Sequence, residues 1–161
     1  MVALEYGDIT VTRGGESTVV STPMGPMPDF QLPPTGCAVV AQSAFSSLND
    51  TVETSVRFFT GLPPFPFAPL ITFWAEREAG FDAGDIDAKK WIGKLSPRPV
   101  FLMQGGADVV ISTSSGQKLY DAAREPRELW FDPAIGHARF DTARPEEYER
   151  RVSQFFDRYL K

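Results

Sequence analysis

Two loops of this sequence hold residues whose types and spacing suit proton-transfer chemistry. Asp108 follows Gly105-Gly106-Ala107, and His137 follows Pro133-Ala134-Ile135-Gly136. Each loop comes directly after a short apolar run, RPVFLMQ before the first and RELWFD before the second. A carboxylate beside an imidazole fixes the ring tautomer and stabilises the imidazolium that forms when the ring takes a proton. His137 is the only histidine in the chain, so no other base of that type competes with it. Singly, each residue has an ordinary reading: Asp after Gly-Gly forms turns, and a His after Gly sits on many surfaces. Their order on consecutive strand ends makes the pair specific.

Bringing the two loops together requires neighbouring parallel strands. Arg98–Gln104 and Arg127–Asp132 read as those strands, and Thr113–Arg124 reads as the helix between them, with Ser114 and Gln117 as a capping box. Strand–helix–strand order implies parallel pairing, and functional groups in open sheets gather beyond the strands' carboxyl ends. Pro145–Leu160 closes the chain as a helix: Pro145 suits its first position, and Glu146 and Glu147 suit its positive end. Tyr148, Val152, Phe155 and Tyr159 form its apolar face. Upstream, Cys37–Gln42 (CAVVAQ) is a strand buried on both faces. Leu48–Thr60 is a helix with Asn49 or Asp50 at its cap. A second helix spans Ala68–Ala79, and a short third spans Asp85–Lys94 with Asp85 as cap. Ile9–Arg13 and Glu16–Ser21 are β-rich runs joined by Gly14-Gly15, a hairpin signal. Thr22–Thr35 is proline-rich and irregular. The fold class is α/β: a partial parallel sheet with flanking helices, plus an N-terminal hairpin-like segment.

With 161 residues the chain is the size of one domain, and 42% hydrophobic with 23% charged residues is a globular balance. A net charge of −5 argues against nucleic acid as a partner. Cys37 is the only cysteine, so no internal disulfide or thiolate metal cluster forms. With no signal-peptide pattern at the N-terminus, the expectation is a cytoplasmic protein without a cofactor. Asp82, Asp85 and Asp87 lie in a stretch without His or Cys and read as a solvated loop and cap rather than a metal site. The uncharged stretch Phe58–Ala75 is broken by Pro63, Pro64, Pro66 and Pro69, which excludes a spanning helix.

The segments RPVFLMQGGADVVI, KLYDAAREPRELWFDPAIGHARF and PEEYERRVSQFFDRYL resemble the α/β-hydrolase superfamily, serine hydrolases of esterase or peptidase type. The resemblance extends back through GCAVVAQSAFSSLNDTVE and covers about residues 37–161, leaving 1–36 as a separate N-terminal segment. It implies that these segments are the last two sheet strands, the acid loop, the histidine loop and the closing helix. By that resemblance Asp108 is the triad acid, His137 the triad base, and the substrate a small ester or a peptide. It also implies a lid-like insert over about residues 48–92. Phe58, Phe59, Phe65, Phe67, Phe73 and Trp74 within it suit an apolar substrate, and equally an ordinary core or an interface.

The family places its serine nucleophile on a G-x-S-x-G elbow, and no such motif occurs here. The nearest echo is Val19-Val20-Ser21-Thr22-Pro23-Met24-Gly25, with Pro23 at the nucleophile position. Proline has no hydroxyl and a fixed φ. Pro26, Pro28, Pro33 and Pro34 occupy the stretch of the helix that follows the elbow, and the strands supplying half of the oxyanion hole do not fit before residue 17. Ser43, Ser46 and Ser47 follow the CAVVAQ strand, near enough in topology for one to approach His137. The expectation is therefore a truncated or rearranged α/β-hydrolase that is inactive alone. The alternative is a non-catalytic binding or assembly module that forms a homo-oligomer through apolar surface left by an unpaired sheet edge.

Overall fold

The computed structural model describes residues 9–13, 16–20 and 37–160. Five strands form one sheet: β1 (Ile9–Arg13), β2 (Glu16–Val20), β3 (Ala38–Gln42), β4 (Val100–Gly105) and β5 (Arg127–Asp132), in the order β2-β1-β3-β4-β5. β3, β4 and β5 are parallel, with Val39 opposite Val100 and Val100 opposite Arg127. β1 and β2 pair antiparallel, Arg13 opposite Glu16, which is the hairpin the Gly-Gly link suggests. β1 also pairs antiparallel with β3. The edge of β3 is therefore not open, contrary to the expectation of an unpaired half-sheet; the hairpin's backbone satisfies it.

Among the described residues six α-helices accompany the sheet: α1 (Leu48–Thr60), α2 (Pro64–Ala79), α3 (Ala88–Ile92), α4 (Ser115–Ala122), α5 (Phe140–Ala143) and α6 (Pro145–Tyr159). Side chains alternate across a strand, so each parallel strand feeds two cores. Val40, Phe101, Met103 and Trp130 pack with Phe140 of α5 and Phe155 of α6 on one face. Val39, Ala41, Val100 and Leu102 pack with Ile92 of α3 and Leu119 of α4 on the other. β4 is buried along its whole length, as a strand covered on both faces should be.

Local chemistry corrects several sequence boundaries. Ser47, not Asn49 or Asp50, caps α1: its hydroxyl accepts from the Asp50 amide. α2 is broken at Phe65, whose backbone is extended (φ −95°, ψ 133°), so its regular part starts at Pro66, just before the expected Ala68, since proline is tolerated in a first turn; Pro69 lies inside it. Asp87 rather than Asp85 caps α3, accepting from Lys89 N. The Ser114–Gln117 box does not form: Ser114 bonds Ser112, and Gln117 reaches Asp121. Among the described residues no helix is long and apolar enough to cross a membrane.

Candidate active site

Parallel pairing of β4 with β5, Gly105 opposite Asp132, sets the loops after the two strands side by side. Backbone bonds join them: Gly106 N donates to Asp132 O (2.8 Å) and Ala107 N to Ile135 O (3.0 Å). Glycine is required for this approach. A Cβ on Gly105 would collide with the Ile135 carbonyl, and one on Gly106 would lie 2.7 Å from Pro133 Cα.

Asp108 and His137 meet across this seam, with His137 Nδ1 3.0 Å from Asp108 Oδ2. The other carboxylate oxygen, Oδ1, accepts from the amides of Ile111 (2.8 Å) and Val110 (2.9 Å). Gln104 Nε2 approaches Oδ2 at 3.5 Å and donates to its neighbour's carbonyl, Gly105 O, at 3.1 Å. The Asp108 side chain is fully buried, while that of His137 is 19% exposed and so reaches solvent at one edge. Burial pushes the Asp108 carboxyl upward, but the bonds from His137, Ile111 and Val110 and the His137 charge outweigh it and hold the group below the usual carboxylate range. The acid is thus pinned as an anion against the ring, a geometry that fixes which imidazole nitrogen carries the proton.

Two residues at the end of β3 complete the support of the histidine loop, one of them a serine that the sequence already brings near His137, though in a different role. Ser43 Oγ at the end of β3 accepts from Ala138 N (2.9 Å), and Gln42 Oε1 accepts from Phe140 N (3.2 Å). Ser43 and Ala138 both have positive φ, 51° and 47°, which costs a residue with a Cβ roughly 1–2 kcal/mol each. The fully buried Phe140 ring packs edge-on against Trp130, centroids 4.7 Å apart. The sequence signal was slight: a polar Gln-Ser pair ending an otherwise apolar run.

None of the three serines after β3 is presented as a nucleophile. Ser43 is fully buried on the Ala138 amide. Ser46, also fully buried, bonds Asp50 (2.7 Å) and Ser115 (3.2 Å). Ser47 caps α1. The carboxyl of Asp50 also pairs with Lys118 (2.7 Å), tying α1 to α4. Val19 and Val20 end an antiparallel edge strand of the sheet. Ser21–Gly25, with Pro23, lie outside the described residues, as do the prolines at 26, 28, 33 and 34. Asp82 accepts from Gly84 N, and Asp87 caps α3.

Phe58, Phe59, Phe65, Phe67, Phe73 and Trp74 are not core. Phe59, Phe65 and Trp74 are 69%, 78% and 63% exposed, and Phe58 and Phe73 about half exposed. A cleft of about 450 Å³ lies between α1, α2 and the turn at 82–84, lined by Glu53, Thr72, Phe73, Glu76 and Asp82 among others; neither Asp108 nor His137 borders it.

Comparison with known proteins places this architecture. No protein-family model matches the chain. Uncharacterized protein YqkD of Bacillus subtilis (strain 168) is 25% identical over 118 residues, 73% of this chain and 38% of that protein. The crystal structure of the Pyrococcus furiosus esterase Pf2001 matches with a TM-score of 0.52 and 24% identity over 76% of this chain and 44% of that one. A second crystal form of it gives 0.51 and 22%. The chain thus spans less than half the length of either relative. The likeness shows the fold alone: the three parallel strands β3, β4 and β5 and their flanking helices match part of that esterase's fold, in keeping with the α/β fold that the sequence resemblance implies.

Proposed function

We propose that this chain carries the acid–histidine half of a serine-hydrolase site, which acts on an ester or amide bond through an acyl-enzyme. His137 would take the proton of an attacking hydroxyl and return it to the leaving group, and Asp108 would hold the tautomer and stabilise the imidazolium. The observation that carries the reading is the fully buried Asp108 carboxylate, fixed by two backbone amides and facing His137 Nδ1 at 3.0 Å. The esterase likeness of the fold supports this class of bond. The insert at 48–92 would act as the lid, its aromatics favouring an apolar acyl group. The buried, unpaired thiol of Cys37 fits a cytoplasmic setting.

No G-x-S-x-G elbow occurs in the sequence, and loss of the nucleophile removes nearly all covalent catalysis. The chain by itself is therefore expected to form no acyl-enzyme. A fluorophosphonate probe should not label the purified protein stoichiometrically. Hydrolysis of p-nitrophenyl acetate should stay at the level a single imidazole supports and disappear in His137→Ala. Stoichiometric, His137-dependent labelling would overturn the claim of inactivity; ester turnover indifferent to His137 would remove the functional reading itself.

A second reading, an association module on a hydrolase scaffold, is favoured by α2. Its residues Leu70, Ile71, Phe73 and Trp74 are each about half exposed or more, although a helix apolar all round is normally buried. Together with Phe59 and Phe65 they present on the order of 700 Å² of side chain. That total is near the ~800 Å² each partner contributes to a standard interface.

A further inference from the structure

We propose that Ser43, with Gln42 beside it, positions His137: its hydroxyl holds the His137–Ala138 peptide plane and so keeps the imidazole on Asp108. The inference rests on the acid–histidine reading above and adds two residues to it. The Ala138 amide belongs to the peptide group that His137 itself begins, so fixing that amide fixes the backbone torsion that aims the His137 side chain. The bond is 2.9 Å long and formed by a fully buried hydroxyl. Both residues joined by it sit at positive φ, at 51° and 47°. Non-glycine residues hold such conformations where the surroundings impose them, and these positions cluster at functional sites. The two strained positions here support each other across 95 residues of chain. Two residues further on, Gln42 Oε1 takes the Phe140 amide at 3.2 Å. The end of β3 thereby grips the histidine loop at two backbone amides, while Asp108 grips the ring. Ser43 touches no reacting atom. It is a positioning residue, and its oxygen is spent on the Ala138 amide rather than offered as a nucleophile.

His137 is the sole histidine, so its imidazole signals in a proton NMR spectrum of the whole chain need no further assignment. The readouts are the pH midpoint of the ring Hε1 resonance and the low-field Hδ1 proton shared with Asp108. Asp108→Asn gives the reference state of a broken pair. Ser43→Gly removes the hydroxyl while suiting the positive φ, so the thermal midpoint should be kept. It is expected to lose the low-field proton and to move the His137 midpoint at least half-way to the Asp108→Asn value. Gln42→Ala should shift it less, in the same direction. A Ser43→Gly protein with wild-type midpoint and low-field proton overturns the proposal, as does one that loses stability while both signals stay. If Ser43→Gly fails to fold, Gln42→Ala carries the test, and a wild-type spectrum from it counts against the clamp. Should Asp108→Asn leave His137 unchanged, the acid–histidine reading itself has failed rather than the role of Ser43.

Discussion

At the scale of single residues, the buried carboxylate and the glycines that admit its partner make the sharpest predictions. Asp108 has its carboxyl held low in the folded chain by bonds from His137, Ile111 and Val110 that outweigh burial. A group with a depressed folded pKa contributes stability that is fully present above its unfolded value, about 3.9 for Asp, and is lost as pH falls through the folded value. Asp108→Asn should therefore lower the thermal midpoint at neutral pH, and the gap to wild type should close on acidification through and below the ordinary carboxylate range. A gap constant with pH would mean the ionised form is not favoured. Asp50 is also held low against burial, by Lys118 and Ser46, so it loses its contribution in the same direction. Gly105→Ala places a methyl against the Ile135 carbonyl, and chemical denaturation should show a loss of about 1–3 kcal/mol, as overpacking does.

At the scale of elements, the histidine loop is held by packing as much as by polar bonds. Phe140 of α5 is fully buried against Trp130, and Phe155 of α6 contacts Phe101 at 5.5 Å between centroids. Phe155→Ala should cost about 3–5 kcal/mol, measured by denaturant unfolding. The ion pair of Arg151 with Glu147 on the same helix is partly exposed, so Arg151→Ala should cost under about 1 kcal/mol from charge; any larger loss would come from its stacking on Trp130, with Arg151 Cζ 4.6 Å from that ring centroid. Ser47→Ala removes the α1 cap and should cost about 1 kcal/mol.

At the scale of the whole molecule, the sheet closes its β3 edge with the hairpin, and the unmatched surface moves to the α1–α2 hairpin. Light scattering should show association rising with concentration. Phe65→Glu with Trp74→Glu should abolish it, since a charge in an apolar interface is desolvated without a partner. A clean monomer at high concentration in wild type would sink the association reading and leave the lid reading of those aromatics. The His137 titration should be the same in monomer and oligomer, because neither residue of the pair lies on that surface.

The local pattern of the sequence was enough to determine a good part of this outcome. RPVFLMQ and RELWFD, each followed by a glycine-containing turn, specify two adjacent parallel strands, the first buried throughout and the second at the sheet edge, after whose carboxyl ends Asp108 and His137 lie. Pro145 with Glu146 and Glu147 specifies the start of α6. Such signals are legible because they depend on neighbours a few residues away. The hairpin's placement on β3, the grip of Gln42 and Ser43 on the histidine loop, and the exposure of the aromatics of α1 and α2 were decided only in three dimensions. Each joins residues distant along the chain, as Ser43 joins Ala138, and no periodicity records such a meeting. The positive φ of Ser43 and Ala138 was equally invisible, since neither residue type announces it. Sequence thus placed Asp108 and His137 on adjacent loops, and the tertiary fold decided what holds them on each other.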